Sequence, residues 1–210
     1  MEKHDKIIND YIKCYMCGPM ESTLSNDGGR GWRDKLRPEF EKRVDENGNS
    51  VYVFDPTLAE FEKVGYSIED FHAQLQNWVA CGKKDKIKEY MDIIWRGKSF
   101  LRFNEDSKKE ELITLIGDID YTRYSNFIIL RVEEGDKPVG TYGECIIAYE
   151  RNIPIYLLQT MALNKYSKTL LGWVLGSGGD IFKTQSELLE FIDKKYNLKI
   201  KKVTKDEPTN

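Results

Sequence analysis

Short apolar runs alternate with longer amphipathic stretches along this chain. "YIKCYMCGPM" (11–20) predicts a first strand broken by Gly18-Pro19, and "SVYVFDP" (50–56) a second stopped by Asp55-Pro56. Between them Trp32, Leu36 and Phe40 recur at helical spacing, which predicts a helix from Trp32 to about Val44. "NFIILRV" (126–132) is almost continuously apolar, as a central parallel strand covered on both faces must be. A glycine-punctuated loop and helix, "KPVGTYGECIIAYERN", then lead to the strand "IPIYLL" (153–158), and "DIFKTQSELLEFIDKKY" (180–196) supplies a last strand-like piece and a helix. Strands alternating with helices predict an α/β domain with a mainly parallel sheet flanked by helices.

The rhythm is less regular from residue 57 to about 105. "SIEDFHAQLQNWVA" and "KDKIKEYMDIIWRG" have amphipathic spacing, with Ser67 and Asp85 as N-cap candidates. They predict a helical insertion or lid between the second and third strands of a single domain. "SKKEELITLIGDIDYTRYS" (107–125) reads as a further helix, opened by Ser107 with Glu110 at capping-box spacing. The lysine-rich, then polar tail from about residue 200 to 210 reads as a solvated or frayed end.

Composition narrows the function. Of 210 residues, 40% are hydrophobic and 32% charged, and the net charge of -3 gives no global attraction to a polynucleotide or an anionic membrane. No apolar run approaches a membrane span, and the first residues carry charges where a signal peptide needs an apolar core, so a cytoplasmic location is expected. Cys14, Cys17, Cys81 and Cys145 form no disulfide-like framework, which agrees with a reducing compartment. Cys14 and Cys17 are nominally a C-x-x-C, but on a strand positions three apart face opposite sides, and no second pair completes a zinc site; both read as buried structural thiols. His4 and His72 suggest no catalytic triad. Trp32, Trp78, Trp95 and Trp173 read as core or subunit-contact residues rather than base-stacking platforms.

In an open parallel sheet, ligands bind beyond the carboxyl ends of the strands. Three loops should converge there: Gly18 to Arg33, Asp55-Pro56, and Glu133 to Glu144. Glu144 follows Gly140, Thr141, Tyr142 and Gly143 and is expected at a helix start, where the macrodipole keeps a carboxylate ionised. Two readings stay open on the pattern alone. One is a routine acid of a first helical turn; the other is an ionised nucleophile at a cleft, suited to attack on the anomeric carbon of a sugar.

"YMCGPM", "GWRDKL", "VFDPT", "GDIDYTRYSNFIIL", "GTYGECIIAYERNIPIYLL" and "IFKTQSELLEFI" together resemble the nucleoside 2-deoxyribosyltransferase family, in the right order over about two thirds of the chain. That resemblance implies a flavodoxin/Rossmann-like fold and cleavage of the N-glycosidic bond of a 2′-deoxynucleoside. The deoxyribosyl group would pass through a covalent glutamate to another base, without metal or cofactor. It implies small-molecule partners, a nucleoside or nucleotide and a free nucleobase, and a homo-oligomer whose subunits help complete the site. Carried over by motif, Glu144 matches the nucleophile, and Asp118, in the Asp118-Ile119 pair eight residues before Asn126, matches the residue that binds the base and assists its protonation; Asp120 is its neighbouring rival. Gly18, Pro19, Met20, Gly140 and Thr141 match substrate-binding turns. The family commonly has a second aspartate six residues before the glutamate; Pro138 stands there, with Asp136 close enough to substitute. "SNDGGRGWR" resembles the phosphate-cradling Gly-Gly-Arg loop of related nucleoside 5′-monophosphate N-glycosidases, which makes Arg30 a phosphate ligand and hydrolysis the alternative to transfer. A non-catalytic nucleotide-binding or sensing module on the same crevice is the third expectation.

Overall fold

The computed structural model describes residues 11–20, 29–58, 68–104 and 108–201. Ser67, Ser107, His4, most of the loop after Met20 and the tail from residue 202 lie outside the described residues, as does the side chain of His72.

Strand β1 (Lys13–Cys17) is followed by helix α1 (Arg30–Glu41), a two-residue strand β2 (Arg43–Val44) and β3 (Tyr52–Phe54). Helices α2 (Ile68–Ala80) and α3 (Lys84–Arg96) lead into β4 (Gly97–Asn104) and β5 (Lys109–Ile116). The core resumes with α4 (Asp118–Tyr124), β6 (Phe127–Leu130), α5 (Val139–Glu150), β7 (Ile155–Leu158), α6 (Lys168–Gly176), β8 (Asp180–Phe182), α7 (Gln185–Lys195) and β9 (Lys199–Ile200).

Five strands form one parallel sheet in the order β3-β1-β6-β7-β8. From β1 the chain moves outward to β3 and then returns to the other side of β1 for β6, β7 and β8. This is the flavodoxin-like, doubly wound order, so the expected α/β Rossmann-like architecture is what the chain adopts. The reversal lies between β1 and β6, whose carboxyl ends meet at the Cys17 and Leu130 register pair.

Two apolar layers cover the sheet. Alternation along β1 sends Tyr15 and Cys17 to one face, with Ile128, Leu130, Cys145, Ala148, Leu170 and Val174 from β6, α5 and α6. Cys14 and Met16 face the opposite layer, with Leu36, Phe40, Leu188 and Ile192 from α1 and α7. The two thiols of the C-x-x-C motif therefore point to opposite sides, both fully buried.

The segment between β3 and β6 departs from expectation. The helix expected over 107–125 is helical only from Asp118; Lys109–Ile116 is instead a strand paired antiparallel with Gly97–Asn104 across eight residue pairs. Ile113, Thr114 and Ile116 are β-branched and favour a strand. Gly117 would also weaken a helix running through it. Past helical residues 56–58, the described part of the expected helical insertion is thus two helices followed by a hairpin. α3 starts at Lys84 with Lys83 at the N-cap, which puts Asp85 in the first turn rather than at the cap.

This insertion meets the core at two close contacts. A Cβ on Gly117 would lie 2.4 Å from the Trp95 carbonyl oxygen, so only glycine lets the base of the hairpin sit against the start of α4. The Trp95 ring lies over Gly140 and Gly143 of α5, where ideal Cβ positions are 3.4–3.5 Å from its edge.

Candidate active site

Glu144 stands apart from its helical neighbours because its carboxylate is buried against β1. Tyr15 and Cys17, two residues apart and on one face of the strand, both point at it. The Tyr15 hydroxyl donates to Oε1 at 2.6 Å and the Cys17 thiol to Oε2 at 2.9 Å. Glu144 itself is only 6% exposed.

Its place on the helix corrects the sequence reading. α5 begins at Val139, with Pro138 as N-cap, so Gly140, Thr141, Tyr142 and Gly143 are helical and Glu144 is the sixth residue rather than the first. The free N–H groups of a first turn are therefore not its stabilisers. Burial dominates instead and, with the nearby Asp118 charge, pushes the Glu144 carboxyl up to about 7. The Cys17 and Tyr15 hydrogen bonds and the Arg33 charge act in the opposite direction. An acid expected to be held ionised is thus poised at neutrality.

Asp118 opens α4 and is buried, 3% exposed, whereas Asp120 is partly exposed and pairs with Arg123 at 3.2 Å. Of the two acids, Asp118 is thus the buried one. α4 starts at Asp118 because Gly117 is extended and its carbonyl accepts from the Tyr121 N–H at 3.0 Å.

Arg33 is the charged residue that sequence reasoning missed. It is fully buried on α1, and its guanidinium donates to the carbonyl oxygens of Met16 at 3.2 Å, Gly18 at 2.8 Å and Gly29 at 2.6 Å. Asp55 lies 3.8 Å from Arg33 Nε, and its other oxygen accepts from Arg37 at 2.8 Å. One guanidinium thus fastens the end of β1 to the start of α1 and to the turn after β3. A buried arginine satisfied by carbonyls and a carboxylate meets the demand that an interior charge be paired.

Around this centre the turn residues are tightly constrained. A Cβ on Gly18 would meet the Arg131 carbonyl oxygen at 2.7 Å, and one on Gly29, at φ +76°, would meet the Pro19 carbonyl oxygen at 2.4 Å. Thr141 is buried, and its carbonyl lies 3.9 Å from the Cys17 sulfur. A Cβ on Gly140 would lie 3.5 Å from the Trp95 ring. Met20 is half-buried at the edge of the described loop, and Arg30 is the first residue of α1.

Asp136 accepts from the Glu133 N–H at 2.8 Å and so closes its own loop. The structure gathers Glu144, Asp118, Thr141 and Gly18 around the β1–β6 reversal, and adds Tyr15, Cys17 and Arg33. Period-two spacing of Tyr15 and Cys17 was the available signal for two of these; the sequence reading paired Cys17 with Cys14 instead. An open cavity of about 540 Å³ lies beyond β6, β7 and β8, lined by Arg131, Glu133, Gln159, Thr160 and Lys183 among others. Glu144 is not one of its walls. Among the described residues no group of His, Cys, Asp and Glu is arranged to hold a metal, and no helix is long and apolar enough to cross a membrane.

Comparison with models of known protein families, with curated proteins and with solved structures gave no match.

Proposed function

We propose that this chain is a nucleoside 2-deoxyribosyltransferase-like enzyme with Glu144 as its nucleophile. The observation that carries the reading is the buried Glu144 carboxylate, held by Tyr15 and Cys17 at the sheet reversal with the charge of Asp118 acting on it. Two carboxyl groups that repel one another tend to keep one proton between them near neutral pH. Such a pair has what displacement at a glycosidic carbon needs. A Glu144 oxygen forms a bond to C1′ as the C1′–N bond breaks, its electron pair passing to the base nitrogen. The Asp118 carboxyl gives the departing base its proton, which lowers the barrier to leaving. The nitrogen of a second base then displaces Glu144 and returns a proton to Asp118.

Arg30 favours one alternative. At the first residue of α1 its guanidinium suits bidentate contact with a phosphate, as a deoxynucleoside 5′-monophosphate would present. In that reading water takes the place of the acceptor base and the products are free base and sugar phosphate. Partners are small molecules in either case, in a homo-oligomeric and cytoplasmic enzyme.

The test is incubation with a panel of deoxynucleosides and their 5′-monophosphates, with and without free adenine, followed by chromatography. A new nucleoside supports transfer, and free base with sugar or sugar phosphate supports hydrolysis. Glu144→Ala should lower turnover by about four orders of magnitude or more while ligand affinity persists. Ligand binding with no base release by the unaltered protein would replace both enzyme readings with a nucleotide-binding module.

A further inference from the structure

Two donors hold Glu144, and they are chemically unequal. The phenolic O–H of Tyr15 sits 2.6 Å from Oε1, within the short range of hydrogen bonds to an ionised acceptor. The donor on Oε2 is a thiol, at 2.9 Å, and thiols are weak donors. Oε1 is therefore drained of charge more than Oε2. Each carboxylate oxygen has two lone pairs, so a single weak donor leaves Oε2 a charged lone pair.

The thiol is also kept in its donor form. Cys17 is fully buried on β1, and burial pushes its thiol well above the ordinary cysteine value, followed by its hydrogen bond with Cys145 and the neighbouring Glu144 charge. It is an S–H rather than a thiolate, and so no nucleophile in its own right. The other ionisable groups acting on Glu144 are Tyr15 from β1, Asp118 from α4 and Arg33 from α1.

We propose that Cys17 is a positioning residue that orients Glu144 through a deliberately weak hydrogen bond and so selects Oε2 as the attacking oxygen. This rests on the reading of Glu144 as nucleophile. Serine would be the stronger donor at the same site, stabilising the carboxylate but withdrawing charge from the oxygen that must attack. Alanine would remove the donor. The two substitutions thus push the ionisation of Glu144 in opposite directions, which a merely structural cysteine would not do.

The experiment uses the full chain with Cys17→Ser and Cys17→Ala. Ionisation of Glu144 is followed without substrate by infrared difference spectroscopy of the carboxyl band across pH, with Glu144→Gln to assign the band. Turnover on a deoxynucleoside is measured across the same pH range and compared at each protein's own maximum. Expected is a midpoint lowered by about one pH unit in Cys17→Ser and raised by a similar amount in Cys17→Ala. Maximal turnover by Cys17→Ser should fall several-fold, because a less basic oxygen attacks more slowly. Midpoints that move together, or that stay within experimental error of the unaltered protein, would overturn the proposal. If Cys17→Ala does not fold, Cys17→Ser decides alone: its midpoint and its turnover must both fall. Absence of turnover in the unaltered protein, or its survival in Glu144→Ala, would instead sink the nucleophile reading and leave the two midpoints as an independent result.

Discussion

Replacing Glu144 by Gln should stabilise the folded protein at neutral pH, and by an amount that depends on pH. Burial and the Asp118 charge raise the Glu144 carboxyl from the ordinary 4.5 to about 7. At about 1.4 kcal/mol per pH unit, that rise corresponds to about 3 kcal/mol of folding free energy. The sign follows from proton binding. Between 4.5 and 7 the native state holds a proton that the unfolded chain releases, so raising the pH through this window lowers stability. The cost is absent below about 4.5 and complete above about 7. Gln carries no charge, so the variant lacks this slope; the Asp118 repulsion is already part of the rise. An amide oxygen cannot serve both Tyr15 and Cys17, and the lost hydrogen bond is a constant offset of about 1 kcal/mol against the variant. The difference between variant and parent should therefore change by about 3 kcal/mol from pH 4.5 to pH 8, roughly 7 °C in Tm for a chain of this length. Urea unfolding at several pH values, followed by circular dichroism, measures it. A difference that is flat across that range would refute the claim that a buried, destabilised carboxylate sits at this position.

Two further outcomes follow from the same geometry. kcat/KM for base release should be bell-shaped, falling in acid as Glu144 gains a proton and in alkali as Asp118 loses the one it donates; a profile level from pH 5 to 8 would exclude Glu144 as the ionised nucleophile. Gly117→Ala should destabilise by about 2 kcal/mol or more in a denaturation experiment, because the new Cβ would lie within 2.6 Å of backbone atoms of Trp95, Arg96 and Gly97 that cannot retreat; unchanged stability would mean the hairpin base is not packed there.

The core strands were legible because their patterns admit one reading. "NFIILRV" is too short and too uniformly apolar to be a surface helix, and β6 occupies its centre. "LITLI" was ambiguous: Leu112, Leu115 and Ile116 fit a helical stripe, while eight cross-strand pairs with the preceding strand Gly97–Asn104 decide for the hairpin. Periodicity in one segment cannot reveal that partner. The site was legible in part for a similar reason. Glu144 and Asp118 were named from motif, and their burial agrees with more than surface helix acids. Arg33 carried no signal, since a charged residue in an amphipathic helix ordinarily faces water, and its burial is accounted for by the convergence of three carbonyls with the Asp55 carboxylate nearby. The setting of Glu144 was misjudged because one turn of helix was assigned to the preceding loop, so burial rather than the macrodipole governs its charge.

The hairpin enters and leaves the domain through adjacent residues, with Gly97 paired to Ile116 and pressed against Gly117. Such a doorway makes the arm separable from the body. Joining its two ends would require only a tight turn, so residues beyond the doorway can lengthen, shorten or vanish without pulling on the parallel sheet. Insertions and deletions in this protein's lineage should therefore collect in the outer arm, while Gly97 and Gly117 stay fixed as the frame through which it is exchanged.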